Sequence, residues 1–251
     1  MLITVIIPTF NDEANLRVTL RQLAFYSDVE LIVVDAGSTD QTVEVARRFT
    51  PYVFVTLGSC ADQMNFGALH ATGDILLFLR ADSFLMPGAL EEIQRRMIND
   101  GAVGGAFDLN IDSPRRLCRW VSRITNQPAR ALKLPGGDQG IFVWRQVFEV
   151  LGGFPKMPIM EDVAFACRLR RAGRVTFIHR GLISSDRRAN ATRVLKTALL
   201  NWWLTMLYFL RVPPRQLRRM HDGWRVAGQV PRARTDPIPS PRRSLQERPS
   251  E

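Results

Sequence analysis

Short apolar runs alternate along the first half of the chain with segments whose apolar residues recur every three or four positions. Runs of the first kind, over Leu2–Ile7, Val29–Val34, Tyr52–Leu57 and Ile75–Leu79, predict strands. Leu16, Leu20 and Leu23 share one face of a helix reaching Phe25, which Asn11 or Asp12 can cap. Ser38 or Asp40 can cap a helix through Arg48, and further helices are expected over Gln63–Thr72 and Gly88–Asp100. Strand–helix alternation at this spacing makes βαβ units, a parallel sheet and right-handed crossovers. After Val103 the pattern loosens. Ala102–Asn110 reads as a strand in a mixed part of the sheet, Leu117–Leu132 as an amphipathic helix, and Leu134–Arg145 as a glycine-rich turn entering a strand. A short helix ends at Gly152-Gly153, a longer one covers Met160–Ala172, and Val175–His179 is a short strand.

Ile75–Leu79 is apolar at every position, as suits a central strand covered on both faces. It runs straight into Arg80-Ala81-Asp82-Ser83. Ligands of open α/β sheets bind beyond the carboxyl ends of such strands. Asp82 therefore sits where a carboxylate can hold a divalent cation against a phosphate. No G-x-G-x-x-G follows the first strand and no P-loop sequence occurs, which disfavours dinucleotide and P-loop chemistry.

Composition adds three points. The 251 residues suffice for one large α/β domain with an appendage. The net charge of +10 is concentrated at the end, where residues 211–251 hold ten arginines against four acids. Such a tail suits an anionic membrane or simple solvation, and nucleic acid is disfavoured as a partner because the tail alone would support it. Cys60, Cys118 and Cys167 lack disulfide or ligand spacing and read as small buried hydrophobes in a reducing cytosol. The apolar start breaks at Pro8, too early for a signal peptide, so the expected location is cytoplasmic. Val194–Leu210 is strongly apolar, but its clean part is shorter than the roughly 20 residues of a spanning helix. With Trp202, Trp203, Tyr208 and the arginines that follow, residues 194–219 suit peripheral contact with the inner face of the plasma membrane, or a second subunit.

Five segments in order, "VIIPTFNDEANL", "VVDAGSTDQT", "ATGDILLFLRADS", "GDQGIFVWR" and "MEDVAFACRLRRAG", resemble the inverting glycosyltransferases of family 2. The resemblance covers about residues 1–180 and is nearest to the bacterial subgroup associated with arsenosugar biosynthesis, which has a similar apolar stretch near its C-terminus. It implies a GT-A fold, a Rossmann-like mixed α/β sheet, over residues 1–190. An amphipathic helical extension over 191–230 and a disordered basic tail over 231–251 would follow. It also implies a nucleotide-diphospho-sugar donor, a hydroxyl acceptor and Mg²⁺ or Mn²⁺.

The same resemblance assigns roles. Asp35 would recognise the nucleoside, beside a wall of Pro8, Thr9 and Asn11 with the acidic Glu13, while Gln63 and Asn65 open a helix toward the crevice. Asp82 is the metal position. The family's Asp-x-Asp is here Arg80-Ala81-Asp82, so the first carboxylate is replaced by a cation that can contact a phosphate directly. His179 is a second candidate metal ligand. Asp138 and Gln139 would bind the acceptor, and Glu161-Asp162 would supply the catalytic acids with Asp162 as base. Each position also has a plain reading as a turn, cap or solvated residue. A sugar nucleotidyltransferase is a rival, although the loop after the first strand lacks the glycines and basic residues it needs. So is a non-catalytic nucleotide-sugar-binding module at the membrane, favoured by the missing carboxylate.

Overall fold

The computed structural model describes residues 1–111, 126–184 and 191–227. Strands and helices alternate as β1 (Ile3–Thr9), α1 (Glu13–Leu23), β2 (Val29–Asp35), α2 (Thr42–Arg47), β3 (Val53–Val55), α3 (Cys60–His70) and β4 (Ile75–Phe78). Next come β5 (Ser83–Leu85), α4 (Ala89–Asn99) and β6 (Gly104–Ile111). A helix over residues 126–132, α5, leads to β7 (Ile141–Trp144), α6 (Arg145–Val150), α7 (Glu161–Ala172) and β8 (Val175–Ser184). The C-terminal helices α8 (Ala191–Phe209) and α9 (Pro214–Ala227) complete the described chain.

One eight-stranded sheet runs in the order β3-β2-β1-β4-β7-β6-β8-β5. β1 pairs in parallel with both β2 and β4, and β2 with β3. β7 is antiparallel to β4 and to β6, while β6 and β8 are parallel. The carboxyl ends of β1, β2, β3, β4, β6 and β8 therefore share one edge, and β7 begins there.

Side-chain alternation in the strands divides the core. Ile3, Val5 and Ile7 of β1 pack with Leu16, Leu20 and Leu23 of α1 and with Leu90, Ile93 and Met97 of α4. Ile6, Val34, Leu76 and Phe78 face the other way, onto Met64 of α3, Phe148 of α6 and Phe165 of α7. All four residues of β4 are buried, as its unbroken apolar run requires. A smaller cluster joins Leu204 of α8 and Leu217 of α9 to Met160 and Val163 at the start of α7.

The structure departs from the expected elements at several points. β5 was not anticipated, because three residues leave no periodicity to read. β8 runs to Ser184, beyond His179, because its second half is held by β5. α3 starts at Cys60, where Ser59 and Asp62 form a reciprocal capping box. Asp12 occupies the N-cap position of α1 without capping it; its carboxylate accepts from Asn15 Nδ2 at 2.7 Å. Residues 117–125 of the expected amphipathic helix and the tail from Pro231 lie outside the described residues.

Gly67 shows how closely α3 rides on the sheet. A Cβ there would stand 2.5 Å from Ile6 Cγ2 and 3.2 Å from Val34 Cγ2. Gly67→Ala gains about 1 kcal/mol of helix propensity. Overpacking costs about 1–3 kcal/mol, and Ile6, a β-branched residue in a buried strand, has little room to yield. A net loss is expected, read as a lower urea midpoint with unchanged slope. A raised midpoint would show that α3 can move off the sheet freely.

Candidate active site

Two loops at the sheet edge are stitched together by polar groups. The Asn11 amide donates to Ser38 Oγ at 2.8 Å, and Asn11 Oδ1 accepts from the Thr39 amide at 2.8 Å. Thr42 Oγ1 accepts from the Asp12 amide at 3.0 Å. Asp35, at the end of β2, is fully buried. Its Oδ1 accepts from the amides of Gly37 and Ser38 at 2.8 and 2.7 Å, and its Oδ2 from Ser38 Oγ at 2.5 Å. Asp35, expected to face the nucleoside, builds the turn that follows β2 with these bonds.

Three more expected binding residues serve the protein's own backbone. Gln63 is buried and donates to the carbonyls of Thr9 and Val34 at 2.9 and 2.7 Å, fastening the ends of β1 and β2. Asn65 makes a reciprocal pair with Phe154, 2.8 Å in each direction, tying α3 to the segment before α7. Gln139 is buried, accepts from the Gly136 amide at 2.8 Å and donates to Asn126 Oδ1 at 3.2 Å. None of the three presents its amide to the crevice. Glu13 pairs with Arg17 along α1 at 2.8 Å. Pro8 is half-buried, and Thr9 Oγ1 is a buried hydroxyl with no partner among the described residues.

His179 lies elsewhere on the rim. Its Nδ1 is 2.9 Å from Asp108 Oδ2, and Arg130 Nε and Nη2 reach the same carboxylate at 2.7 and 2.5 Å. The ring, expected as a metal ligand, also meets Arg130 Nη1 and Nη2 at 2.8 and 2.6 Å. Among the described residues no group of three or more His, Cys, Asp or Glu is arranged to hold a metal ion.

The remaining charges converge. At the end of β4, Arg80 Nε lies 3.1 Å from Asp82 Oδ1 and Nη2 lies 3.4 Å from Oδ2. Asp82 holds the guanidinium more firmly in its charged form, with Asp138 adding to the effect. Burial pushes the Asp138 carboxyl up; Arg80 opposes this, and Asp162 and Asp82 reinforce it. Asp12 is also raised, first by burial and then by Asp82 and Asp40, against the opposing influence of Asn15 and Arg80. Glu161 is raised by burial and by Asp162. These mutual influences put Asp12, Arg80, Asp82 and Asp138 at neighbouring places on the sheet edge, with Asp162 close to Asp138 and Glu161 beside Asp162.

A single-turn 3₁₀ helix, Gly137–Gln139, carries Asp138 to that edge just before β7. The Gly137 amide donates to Asp162 Oδ2 at 2.7 Å, and the Val163 amide to Oδ1 at 2.8 Å. A Cβ on residue 137 would stand 3.1 Å from Asp162 Oδ2, so glycine permits the contact. The carboxylate is aimed by two backbone donors and keeps its remaining lone pairs for a ligand.

Sequence reading missed two members of this neighbourhood. Asp12 was taken for a cap, and the run of polar residues Asn11-Asp12-Glu13 after β1 was the available signal. Cys60 was taken for a buried hydrophobe. The residue is exposed on the first turn of α3 while its sulfur is turned in among protein atoms; that burial first, and then Glu161 and Asp162, push its thiol up to about 11 against the opposing Arg80. That makes it a poor nucleophile at neutral pH.

Comparison with known proteins agrees with this architecture. The chain is 41% identical over 91 residues to a PGL/p-HBAD biosynthesis glycosyltransferase of Mycobacterium bovis, 33% of this chain and 36% of that protein. It is 25% identical over 199 residues to the probable glycosyltransferase YdaM of Bacillus subtilis, 68% of this chain and 47% of that protein. The alignments thus take in less than half of either relative. Glucosyl-3-phosphoglycerate synthase of Mycobacterium tuberculosis, solved with Mn²⁺ and uridine-diphosphate-glucose, superposes with a TM-score of 0.60 at 20% identity. That match covers 84% of this chain and 80% of the synthase. Staphylococcus aureus TarS 1-349, solved with UDP-GlcNAc, gives 0.60 at 18% identity over 76% of this chain and 60% of TarS. These two likenesses establish the GT-A fold. The sequence pattern of residues 4–173 matches the family itself, and the chain belongs to glycosyl transferase family 2.

Proposed function

We propose that the chain is an inverting glycosyltransferase that moves a sugar from a nucleotide-diphospho-sugar to a hydroxyl acceptor, with Asp162 as base. One observation carries this reading. The Gly137 amide, next to Asp138 and just before β7, donates to Asp162 Oδ2 at 2.7 Å, and the neighbouring strand β4 ends in the Arg80–Asp82 pair, so a charged edge and an aimed carboxylate stand at the same end of the sheet. Inversion needs one carboxylate to take the acceptor hydroxyl's proton as that oxygen attacks the anomeric carbon. The bond to the diphosphate breaks on the opposite face, and no protein acid is needed for that leaving group once positive charge meets it. Arg80 supplies part of that charge. Asp138 would accept a hydrogen bond from a sugar hydroxyl.

Among the described residues no side-chain cage would hold a metal by itself, so a cation would need one carboxylate together with donor phosphates. Asp12, Asp82 and Asp138 stand around the Arg80 guanidinium, and a diphosphate entering such a field needs further positive charge. Asp82 is the residue that would hold Mg²⁺ or Mn²⁺, with donor phosphates completing the coordination; this is the usual one-carboxylate arrangement. When bound, the ion would neutralise charge on the leaving diphosphate. Neighbours in the fold solved with Mn²⁺ or Mg²⁺ support the proposal. Our assignment to the arsenosugar-associated subgroup rests on the apolar segment 197–212 alone.

The test is a panel of nucleotide sugars with Mn²⁺, followed by thermal shift and then by turnover. One donor is expected to raise the midpoint. Asp162→Asn is expected to lower kcat by about 10²–10⁴-fold while donor affinity by calorimetry stays unchanged. Equal activity in both proteins would remove Asp162 from the mechanism, and binding without turnover would favour a non-catalytic module.

Asp138 gives a pH prediction. Its carboxyl is raised in the folded state, so the unfolded chain releases the proton first and stability falls as pH rises through the carboxylate range. Asp138→Asn is therefore expected to melt higher than the parent at pH 7. The advantage should vanish below the ordinary Asp pKa of about 3.9. If Asp138 meets the acceptor, the same variant raises KM for the acceptor and leaves donor binding alone.

A further inference from the structure

Helix α8 is apolar on two faces, and among the described residues only one of them is packed against the rest of the protein. Leu200, Leu204 and Leu207 pack toward Met160, Val163 and Leu217. Leu199, Trp202, Trp203, Met206, Phe209 and Leu210 recur at helical spacing on another side and are 40% to 70% exposed. Next to that stripe, α9 adds exposed Met220 and Trp224. An open groove of about 250 Å³ between the two helices is lined by Lys196, Leu199, Leu200, Trp203 and Trp224. An apolar surface this continuous marks an interaction site.

We propose that the exposed face of α8 and α9 docks peripherally on a bilayer containing anionic lipid, with the Trp203–Trp224 groove taking an acyl chain. Charge selects this occupant. Residues 191–227 contain six arginines and one lysine but a single acid, Asp222, which is paired with Arg218 at 2.7 Å. Arg215 and Arg219 are exposed on α9, and Arg211 is exposed at the turn between the helices. Tryptophans beside arginines are the composition of a helix lying at the headgroup level. A second copy of this chain would bring the same positive rim against itself, with no free acid to answer it. Spanning is excluded by length. The stripe from Leu199 to Leu210 is about 17 Å long, against about 30 Å of hydrocarbon. No helix among the described residues is long and apolar enough to cross a membrane.

The face is also bolted to the crevice. Met160 and Val163, against which Leu204 and Leu217 are buried, flank Glu161 and Asp162. Arg218 Nη1 donates to the Pro158 carbonyl at 3.0 Å, and its charge opposes the upward shift of Glu161. Docking would therefore hold the catalytic acids at a fixed place relative to the lipid surface and favour an acceptor presented there.

The experiment is vesicle flotation of the full chain, without donor or acceptor, so it stands apart from the transfer reaction. Vesicles of phosphatidylcholine alone are compared with an equal mixture of phosphatidylcholine and phosphatidylglycerol. The chain is expected to float with the mixture and to release at high salt. Arg215→Gln with Arg219→Gln should weaken partitioning about thirtyfold, each arginine contributing roughly fivefold. Trp202→Ser with Trp203→Ser should abolish flotation. Both pairs are solvent-exposed, so circular dichroism melts should match the parent. Absence of flotation with the mixture would overturn the proposal, as would flotation indifferent to both pairs of substitutions. So would a dimer, detected by light scattering, that the tryptophan variant dissolves.

Discussion

The pairing of Phe78 with Ile141 decides where everything else goes. β4 is buried on both faces and ends at Phe78, so the first polar residues after it, Arg80 and Asp82, are delivered to the sheet edge. β7 lies antiparallel to β4, so its start, not its end, stands at the same edge. The 3₁₀ turn that precedes it then brings Gly137 and Asp138 beside Asp82. From there one backbone bond, Gly137 amide to Asp162, draws in the first turn of α7. A parallel β7 would have carried this turn to the far edge of the sheet. The site is thus a consequence of strand direction before it is a consequence of side-chain chemistry.

Burying acids near one another has an electrostatic cost, visible in the upward shifts of Asp12, Asp138 and Glu161, in each of which burial is the leading cause and a neighbouring acid adds to it. The surrounding structure absorbs it. Gln63 clamps the ends of β1 and β2, Asn65 clamps α3 to Phe154, and Asp35 with Ser38 closes the adjoining turn. These polar side chains fasten together the loops that carry the acids. Such a crevice has poor tolerance for a diphosphate by itself and strong demand for a cation accompanying it. Replacing the usual first carboxylate by Arg80 fits that balance, since it removes one negative charge and adds a permanent positive one.

Much of this was legible beforehand, for physical reasons. Buried parallel strands are written as apolar runs, and the sheet edge follows from where each run stops; Asp82 was placed in that way. Asp162 could be placed by the acids that open α7. Asp35, Gln63 and Gln139 could not be sorted, because a polar residue beside a turn has two sets of partners, the ligand and the nearest unpaired backbone groups. In all three the backbone is closer and takes the side chain. The antiparallel direction of β7 and the existence of β5 depend on distant pairing, which local periodicity does not encode. His179 was read as a strand terminus, yet the strand runs on to Ser184, which leaves the ring beside Asp108 and Arg130.

Helix α8 poses a different problem of reading. A helix apolar on most sides suggests burial in a core or a membrane. Here Leu204 accounts for one side, while about half of the surface of Trp202 and of Trp203 stays exposed in the described chain. Had α8 served only to brace α7, the residues opposite Leu204 could have been polar without loss of packing. Their being apolar is instead unfavourable for the isolated chain, because exposed tryptophan and phenylalanine surface carries a hydration penalty. Such a face is tolerable when another surface receives it, and the encircling arginines restrict that surface to one bearing negative charge. The other face of the same helix packs Leu204 against Met160 and Val163, so a docked α8 would be joined directly to the start of α7.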